Sequence, residues 1–360
     1  MVRANFILSE SSQAVTGQYR GRQAASHHGK DEDMTRRLLI APALAAALVF
    51  APRAATAQGI DSAAVAEAAS SVVVVLPRWR DVRPGFAPKS ADRRIAPEGS
   101  GVAVLPGGYV ATNDHVLGDA VSVRVRLADG RTVPAEIVGR HKATDIALLK
   151  AAIDLPVAEP GPEPGLAEPV CAIGNPFGRG VSVSCGVVSA VGRANAGFNE
   201  IEDFIQTDAA VNPGGSGGAL VDGKGRLVGL VSAIFAQGSD ANIGVNFAAS
   251  GPLVARVVRD LAAHGTVKEA TAGMETGALS APQQERTGGV SVVEVTRDGP
   301  AFMAGIDAGD IITRIDGRPV TSPGQVRAGL FRKQVGETTV LTLRRGDAVR
   351  EISLTLQPRP

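Results

Sequence analysis

Aromatic side chains make up only 4% of this 360-residue chain, with one Trp, two Tyr and ten Phe. Glycine and proline are plentiful instead, at 43 and 22 residues, and 44% of the chain is hydrophobic. That balance favours many short strands and tight turns over long helices. Charge of one sign is also lacking. The formal net charge is +1, which gives no reason to expect a nucleic-acid partner. No stretch reaches the roughly 18 apolar residues of a membrane-spanning helix. There are two cysteines, Cys171 and Cys185, and no histidine cluster accompanies them, so neither a metal site nor a cofactor is expected. They lie on apolar segments joined by Gly174–Gly180, which reads as a hairpin. A disulfide and two buried thiols both fit, because strand register cannot be read from sequence.

What is present is concentrated in a few places. Asn212-Pro-Gly-Gly-Ser216-Gly-Gly218 packs four glycines and a proline around one serine, just before apolar Ala219–Val221. Glycine lets backbone take unusual dihedrals or approach a ligand closely. A serine on such a turn, beside unpaired backbone N–H groups, has what acyl transfer needs: a nucleophile and donors for an oxyanion. Beyond residue 57 there are three histidines, His115, His141 and His264. His115 follows the apolar strand Tyr109–Thr112 and a short polar turn. Asp145 opens the apolar run Ile146–Leu149. The order His115, Asp145, Ser216 is that of chymotrypsin-like enzymes and differs from the subtilisin-like and α/β-hydrolase orders. Asp114 is a weaker candidate acid, since strand neighbours point to opposite faces. Asp208 lies eight residues before Ser216 and awaits coordinates.

Five segments, in order, resemble a trypsin-like serine protease of the HtrA family. They are Gly99–Val104, Thr112–Val116, Thr144–Lys150, Ala172–Gly178 and Gln206–Val221. The resemblance spans about residues 60–358. It implies a mainly β fold: a chymotrypsin-like double β-barrel with the active site between the barrels, followed by a PDZ domain. It implies Ser216 as nucleophile, His115 as base, Asp145 as orienting acid, and Gly214 and Ser216 N–H groups as the oxyanion hole. By the same resemblance Ala210 and Val211 stand at the specificity pocket and Ser232 supports the acid. No acid lies at Ala210 or Val211, so cleavage after small apolar residues, not after Lys or Arg, is expected. Unfolded or misfolded proteins are the expected substrates and a homotrimer the expected assembly. The alternative is a non-catalytic chaperone or peptide binder that keeps the fold.

The family carries Asn where this chain has Gly215. A residue with more backbone freedom suggests an oxyanion loop less ordered in advance, so Gly215→Asn is expected to change turnover.

The termini add context. Met34-Thr-Arg-Arg37, the 13-residue apolar run Leu38–Phe50 and Ala55-Thr-Ala57 form a basic, apolar and small-residue succession. That is the pattern of a secretory signal peptide over 34–57, with 1–33 as an upstream extension foreign to the native protein. A periplasmic location follows; retention as an inner-membrane anchor is the alternative. Residues 1–57 hold seven basic and four acidic groups, so the remainder has formal charge −2. The protease domain is placed at 58–265, a linker at 266–273 and the PDZ domain at 274–358. PDZ domains add a peptide as a strand and hold its C-terminal carboxylate with backbone N–H groups. The best match to that carboxylate loop is Glu275-Thr276-Gly277-Ala278. Glu275 would repel the carboxylate there, and Ala278 offers little apolar contact. A docking or spacing role for the domain is therefore the second expectation.

Overall fold

The computed structural model describes residues 59–79, 99–234 and 244–359. The expected signal peptide, the upstream extension and most of the arginine-rich stretch 77–98 lie outside the described residues.

The first unit begins with α1 (Ser62–Ala68), capped by the Asp61 carboxylate, which accepts from the Ala63 and Ala64 N–H groups. Six strands follow: β1 (Val72–Arg78), β2 (Gly99–Leu105), β3 (Tyr109–Thr112), then, after the single turn α2 (Asp114–Leu117), β4 (Ser122–Arg126), β5 (Thr132–His141) and β6 (Ile146–Ala151). They close into a barrel of order β1-β2-β3-β6-β5-β4. A second barrel, of order β10-β11-β12-β9-β8-β7, uses β7 (Pro169–Gly174), β8 (Ser182–Arg193), β9 (Phe204–Thr207), β10 (Ala219–Asp222), β11 (Leu227–Ile234) and β12 (Asn246–Ser250).

Several strands read as unbroken apolar runs because both of their faces are covered. On β1, Val73 and Val75 fill the first barrel with Val110, Val125 and Leu149. Val72 points the other way, into a core shared with the second barrel through Cys171, Ile173, Ala219 and Val221. On β6, Ala147 and Leu149 face inward while Ile146 and Leu148 join that shared core. Burying such side chains removes about 1.5–3 kcal/mol each from exposure to water, so the two barrels form one packed body.

Helix α3 (Gly251–His264) closes the protease region. Pro252 sits in its first turn, the Ser250 hydroxyl caps the Leu253 N–H, and Gly265 ends it in the left-handed conformation. Leu253, Val254, Val257 and Leu261 lay its apolar face on the shared core.

The remaining strands form the second domain. β13 (Ala270–Thr271) pairs with β20 (Gln357–Pro358). β14 (Met274–Gly277), β15 (Val290–Val295), β16 (Ile311–Ile315), β18 (Thr338–Arg345) and β19 (Ala348–Thr355) make a sheet in that order, with β17 (Arg318–Pro319) beside β16. Helices α4 (Ala281–Thr287), α5 (Pro300–Met303) and α6 (Pro323–Phe331) complete it. Ala272 is buried in this domain's core with Val292, Ile312 and Leu341, so the chain is committed to it before Met274. Among the described residues no helix is long and apolar enough to cross a membrane.

Cys171 and Cys185 are Cα partners across β7 and β8 and are joined as a disulfide. The register, which the sequence left open, makes them direct cross-strand neighbours.

The two domains meet along α6. Phe331 enters the core of the protease region. Arg332 donates to the buried Asp203 carboxylate, Gln334 Nε2 to Asp260 Oδ1 at 2.9 Å, and Arg256 Nε to the Lys333 carbonyl at 3.1 Å. Gln325 Nε2 reaches the Gly192 carbonyl at 3.0 Å.

Candidate active site

His115 stands on the single turn α2, immediately after β3, and Asp145 at the mouth of β6. Asp145 adopts a left-handed backbone, φ 56°, where the 3-10 turn Lys142–Thr144 hands over to the strand. Aspartate tolerates that conformation better than most residues. The turn aims its carboxylate back at His115. Oδ1 accepts from the His115 backbone N–H at 2.8 Å, and Oδ2 lies 2.6 Å from His115 Nδ1. A carboxylate only accepts, so Nδ1 carries the proton and Nε2 keeps its lone pair. Ser232 Oγ also approaches Oδ2, at 3.4 Å, and Asn113 Nδ2 donates to the Asp145 carbonyl at 2.9 Å. His115 is half exposed while Asp145 is almost buried. The imidazole therefore faces the cleft and the acid stands behind it.

The other two acids go elsewhere. Asp114 is ion-paired with Arg140. Asp208 Oδ1 accepts from the Val187 N–H at 2.7 Å, on the outside of the second barrel.

Ser216 lies across the same cleft, of about 570 Å³, which is lined by His115, Asp145, Val211, Pro213, Ser216 and Ser232 among others. Its hydroxyl donates to the Ser232 carbonyl at 3.3 Å. The loop before it is held on both sides. Ser100 Oγ donates to the Gly214 carbonyl at 2.7 Å and accepts from the Asn175 N–H at 2.9 Å. The Phe177 N–H donates to the Pro213 carbonyl at 2.7 Å. In a trans peptide the C=O and the following N–H point in opposite directions, so this bond turns the Gly214 N–H away from Phe177. Among the described residues neither the Gly214 nor the Ser216 N–H has an acceptor. The glycines are required by space. Gly214 has φ 95° and a Cβ there would lie 2.4 Å from the Asn175 carbonyl oxygen. Gly217 has φ 83° and a Cβ would lie 2.1 Å from the Ser100 oxygen. Gly215 differs: its φ is not left-handed, and a Cβ would meet its first neighbour, the Asn212 oxygen, at 3.0 Å.

Of the residues expected at the specificity pocket, Val211 and Ser232 line the cleft. Ala210 is exposed and its N–H donates to Ser184 Oγ at 3.0 Å. In the second domain Thr276 and Gly277 are not loop residues. They belong to β14, paired with Val292 and Ser291, and Ala278 follows directly. The sharp reversal lies earlier, at Ala272-Gly273, where Gly273 has φ 67° and its N–H donates to Thr271 Oγ1 at 3.0 Å. Thr276–Ala278 is the better sequence match to a carboxylate loop, while Gly273 lies in what reads as a linker.

Sequence reading also passed over the ties of the Asp145 turn. His141 Nδ1 lies 2.8 Å from Thr144 Oγ1, and its ring stacks on Phe331 at 5.3 Å. Burial holds its pKa below the usual histidine value, partly offset by Glu269.

Residues 99–230 match the trypsin-like peptidase domain family and residues 243–356 the PDZ domain family. The second match begins inside the protease region, taking in β12 of the second barrel and α3, which packs on the shared core. The periplasmic serine endoprotease DegP of Escherichia coli (strain K12) is 37% identical over 269 residues, covering 72% of this chain and 56% of DegP. A probable periplasmic DegP-like endoprotease of Brucella suis is 34% identical over 285 residues, covering 76% of this chain and 55% of the relative. The chain thus spans about half the length of these curated relatives. A solved structure of the HtrA-type protease AlgW with a tripeptide aligns with a TM-score of 0.64 and 35% identity, covering 82% of this chain and 96% of AlgW. The chain belongs to the HtrA-type serine proteases, with a trypsin-like peptidase domain followed by one PDZ domain.

Proposed function

We propose that this protein is an exported, periplasmic serine endopeptidase acting on unfolded or misfolded proteins by an acyl-enzyme route. The observation that carries the reading is the His115–Asp145 pair facing Ser216 across one cleft, beside two unpaired N–H groups. His115 Nε2 takes the Ser216 proton as Oγ attacks the scissile carbonyl. The Gly214 and Ser216 N–H groups receive the oxyanion. His115 then returns the proton to the leaving amine, while Asp145 holds the tautomer and stabilises the imidazolium. Val211 on the cleft wall, with no acid beside it at Ala210, supports small apolar residues before the scissile bond; a peptide library cleaved mainly after Arg would refute that pocket.

The PDZ domain supports capture of extended C-terminal peptides. β14 is an edge strand of its sheet, flanked by α6. The turn Thr271–Gly273, at the start of β14, is the better place for the peptide carboxylate than Thr276–Ala278. Residues 34–57 act as the export signal, and a homotrimer is the assembly the family implies.

One observation favours a second reading, a fold kept for binding without turnover. The Ser216 hydroxyl is bonded to the Ser232 carbonyl and not to His115. Such bonds often tighten only when substrate is bound. Labelling with a fluorophosphonate decides: the endopeptidase labels and digests an unfolded protein, Ser216→Ala does neither, and an unlabelled wild type leaves the binding reading standing.

A further inference from the structure

The cleft runs past the groups that do chemistry, to walls the mechanism above does not use. Lys142, Phe198 and Asn199 line it there, and Asn199 Nδ2 lies 3.5 Å from the Thr144 carbonyl, so the two segments adjoin. Both segments are tied down. Lys142 opens the 3-10 turn that ends on Asp145, and the turn is tied at three points. The Lys142 carbonyl accepts from the Asp145 N–H at 3.1 Å, and the Ala143 carbonyl from the Ile201 N–H at 2.8 Å. His141 braces Thr144 from behind. The adjoining loop is built around Glu202, which is 3% exposed. Its carboxylate accepts from the N–H groups of Ala196, Phe198 and Asn199 at 2.6–3.0 Å. The Phe198 ring leans on Phe204 and Phe247 yet stays 39% exposed.

The charge on this wall is not neutralised. Asp145 is the carboxylate among the lining residues, and it is taken by His115. Lys142 is exposed and forms no ion pair among the described residues. A cation fixed at its base on the wall of a peptide cleft, beside an apolar ring, favours anions in whatever the cleft binds.

We propose that Lys142, with Phe198 and Asn199 beside it, forms an extended subsite that selects substrates carrying Asp or Glu near the scissile bond. The proposal rests on the endopeptidase reading and names a feature of its substrates. An extended peptide puts alternate side chains on opposite faces about 3.3 Å apart along the strand. The preference therefore falls at one position, within about four residues of the cleaved bond.

The test is a set of fluorogenic peptides with a small apolar residue before the scissile bond, differing only in Glu, Gln or Lys at each neighbouring position. kcat/KM is read for wild type, Lys142→Glu and Lys142→Arg, at low and high salt. At one position the wild type prefers Glu over Lys by about fivefold, the size expected of an exposed ion pair. Lys142→Arg keeps the order and Lys142→Glu reverses it. High salt shrinks the ratio, because exposed charges are screened. The ratio is internal to each variant, so a general loss of activity does not imitate it. Should Lys142→Glu fail to fold, the wild-type ratio and its salt dependence still decide. A wild type that labels with fluorophosphonate but cleaves all three peptides equally at every position overturns the subsite alone. A wild type that neither labels nor cleaves overturns both the subsite and the endopeptidase reading.

Discussion

Two loops face each other across the cleft and are held in different ways. The turn His141–Asp145, from the first barrel, is tied within the protease region by Asn113 and Ile201 and is braced in addition from outside the barrels. The His141 ring stacks on Phe331 of α6, and its Nε2 lies 3.8 Å from Glu269, in the segment joining the domains. The loop Asn212–Ser216, from the second barrel, is braced from within the protease region. Ser100 holds one of its carbonyls and Phe177 another. The acid side of the site thus has an added tie to the domain junction, which the nucleophile side lacks among the described bonds. A change at α6 reaches Asp145 through a single packed ring, whereas the loop before Ser216 has no direct tie to the second domain among the bonds described.

The comparison breaks most sharply at the acid itself. Asp145→Asn keeps the shape but allows His115 the wrong tautomer, and kcat is expected to fall about 10⁴-fold. Ser100→Ala attacks the opposite loop. It frees the Gly214 carbonyl and removes the Ser100 hydroxyl from the Asn175 N–H, so the Gly214–Gly215 peptide that joins the two oxyanion donors loses one of its ties. Because losing one oxyanion donor costs on the order of 10²-fold or more in kcat, Ser100→Ala should lie near that figure with KM little changed. Single-turnover acylation measures both. Equal losses in the two variants would show that the loops do not differ in kind.

Removing the disulfide tests how far the barrel side is self-supporting. Cys171 and Cys185 are 14 residues apart, and closing a loop of that size is worth about 3 kcal/mol in the chain-entropy account. The double Ala variant should unfold at correspondingly lower denaturant while the folded fraction keeps its kcat. β7 runs from Cys171 into Gly174, beside Gly215, yet the Ser100 and Phe177 bonds remain in place without the bridge.

On the junction side the handle is pH. Burial lowers the His141 pKa, against the pull of Glu269 and Glu200, while Arg256 adds to the lowering. Both states are neutral well above about pH 6.5, the ordinary histidine value. Below it the unfolded chain takes up a proton that the folded chain resists, so stability falls as pH drops towards the folded pKa. His141→Gln should flatten that part of the curve, read as the unfolding midpoint between pH 7.5 and pH 5. An unchanged slope would remove His141 as the cause.

The sequence made some of this legible and hid the rest for physical reasons. His115, Asp145 and Ser216 were readable because few other residues offer a base, an acid and a nucleophile in that order. The α3 boundaries were readable because Ser250, Pro252 and Gly265 are local cap signals. The pairing of Cys171 with Cys185 was not, since it depends on register. The contacts of Phe331 with the protease core and of Arg332 with Asp203, 129 residues away in sequence, carry no local signal and appear only in the fold. The start of β14 was hard to read because glycines stand at both Gly273 and Gly277. Strand pairing alone separates them.

Gly215 gives the smallest effect and the closest test of the contrast. Read from sequence, it loosens the loop before Ser216, and Gly215→Asn should then change turnover. In the folded protein the loop's order comes from Ser100, Phe177 and the Gly215 N–H bond to the Asn212 carbonyl at 2.9 Å, none of which needs a side chain at 215. A Cβ would press on the Asn212 oxygen at 3.0 Å and touch Val211 at 3.5 Å, so the neighbours must yield by a few tenths of an ångström. Against this, replacing glycine at a compatible φ stabilises by up to about 1 kcal/mol through the unfolded chain. The two effects nearly offset. Gly215→Asn should keep kcat within about twofold, a factor worth less than about 0.5 kcal/mol in the barrier. A several-fold rise, measured as the rate of acylation in a single turnover, would mean that the Ser100 and Phe177 bonds form only part of the time.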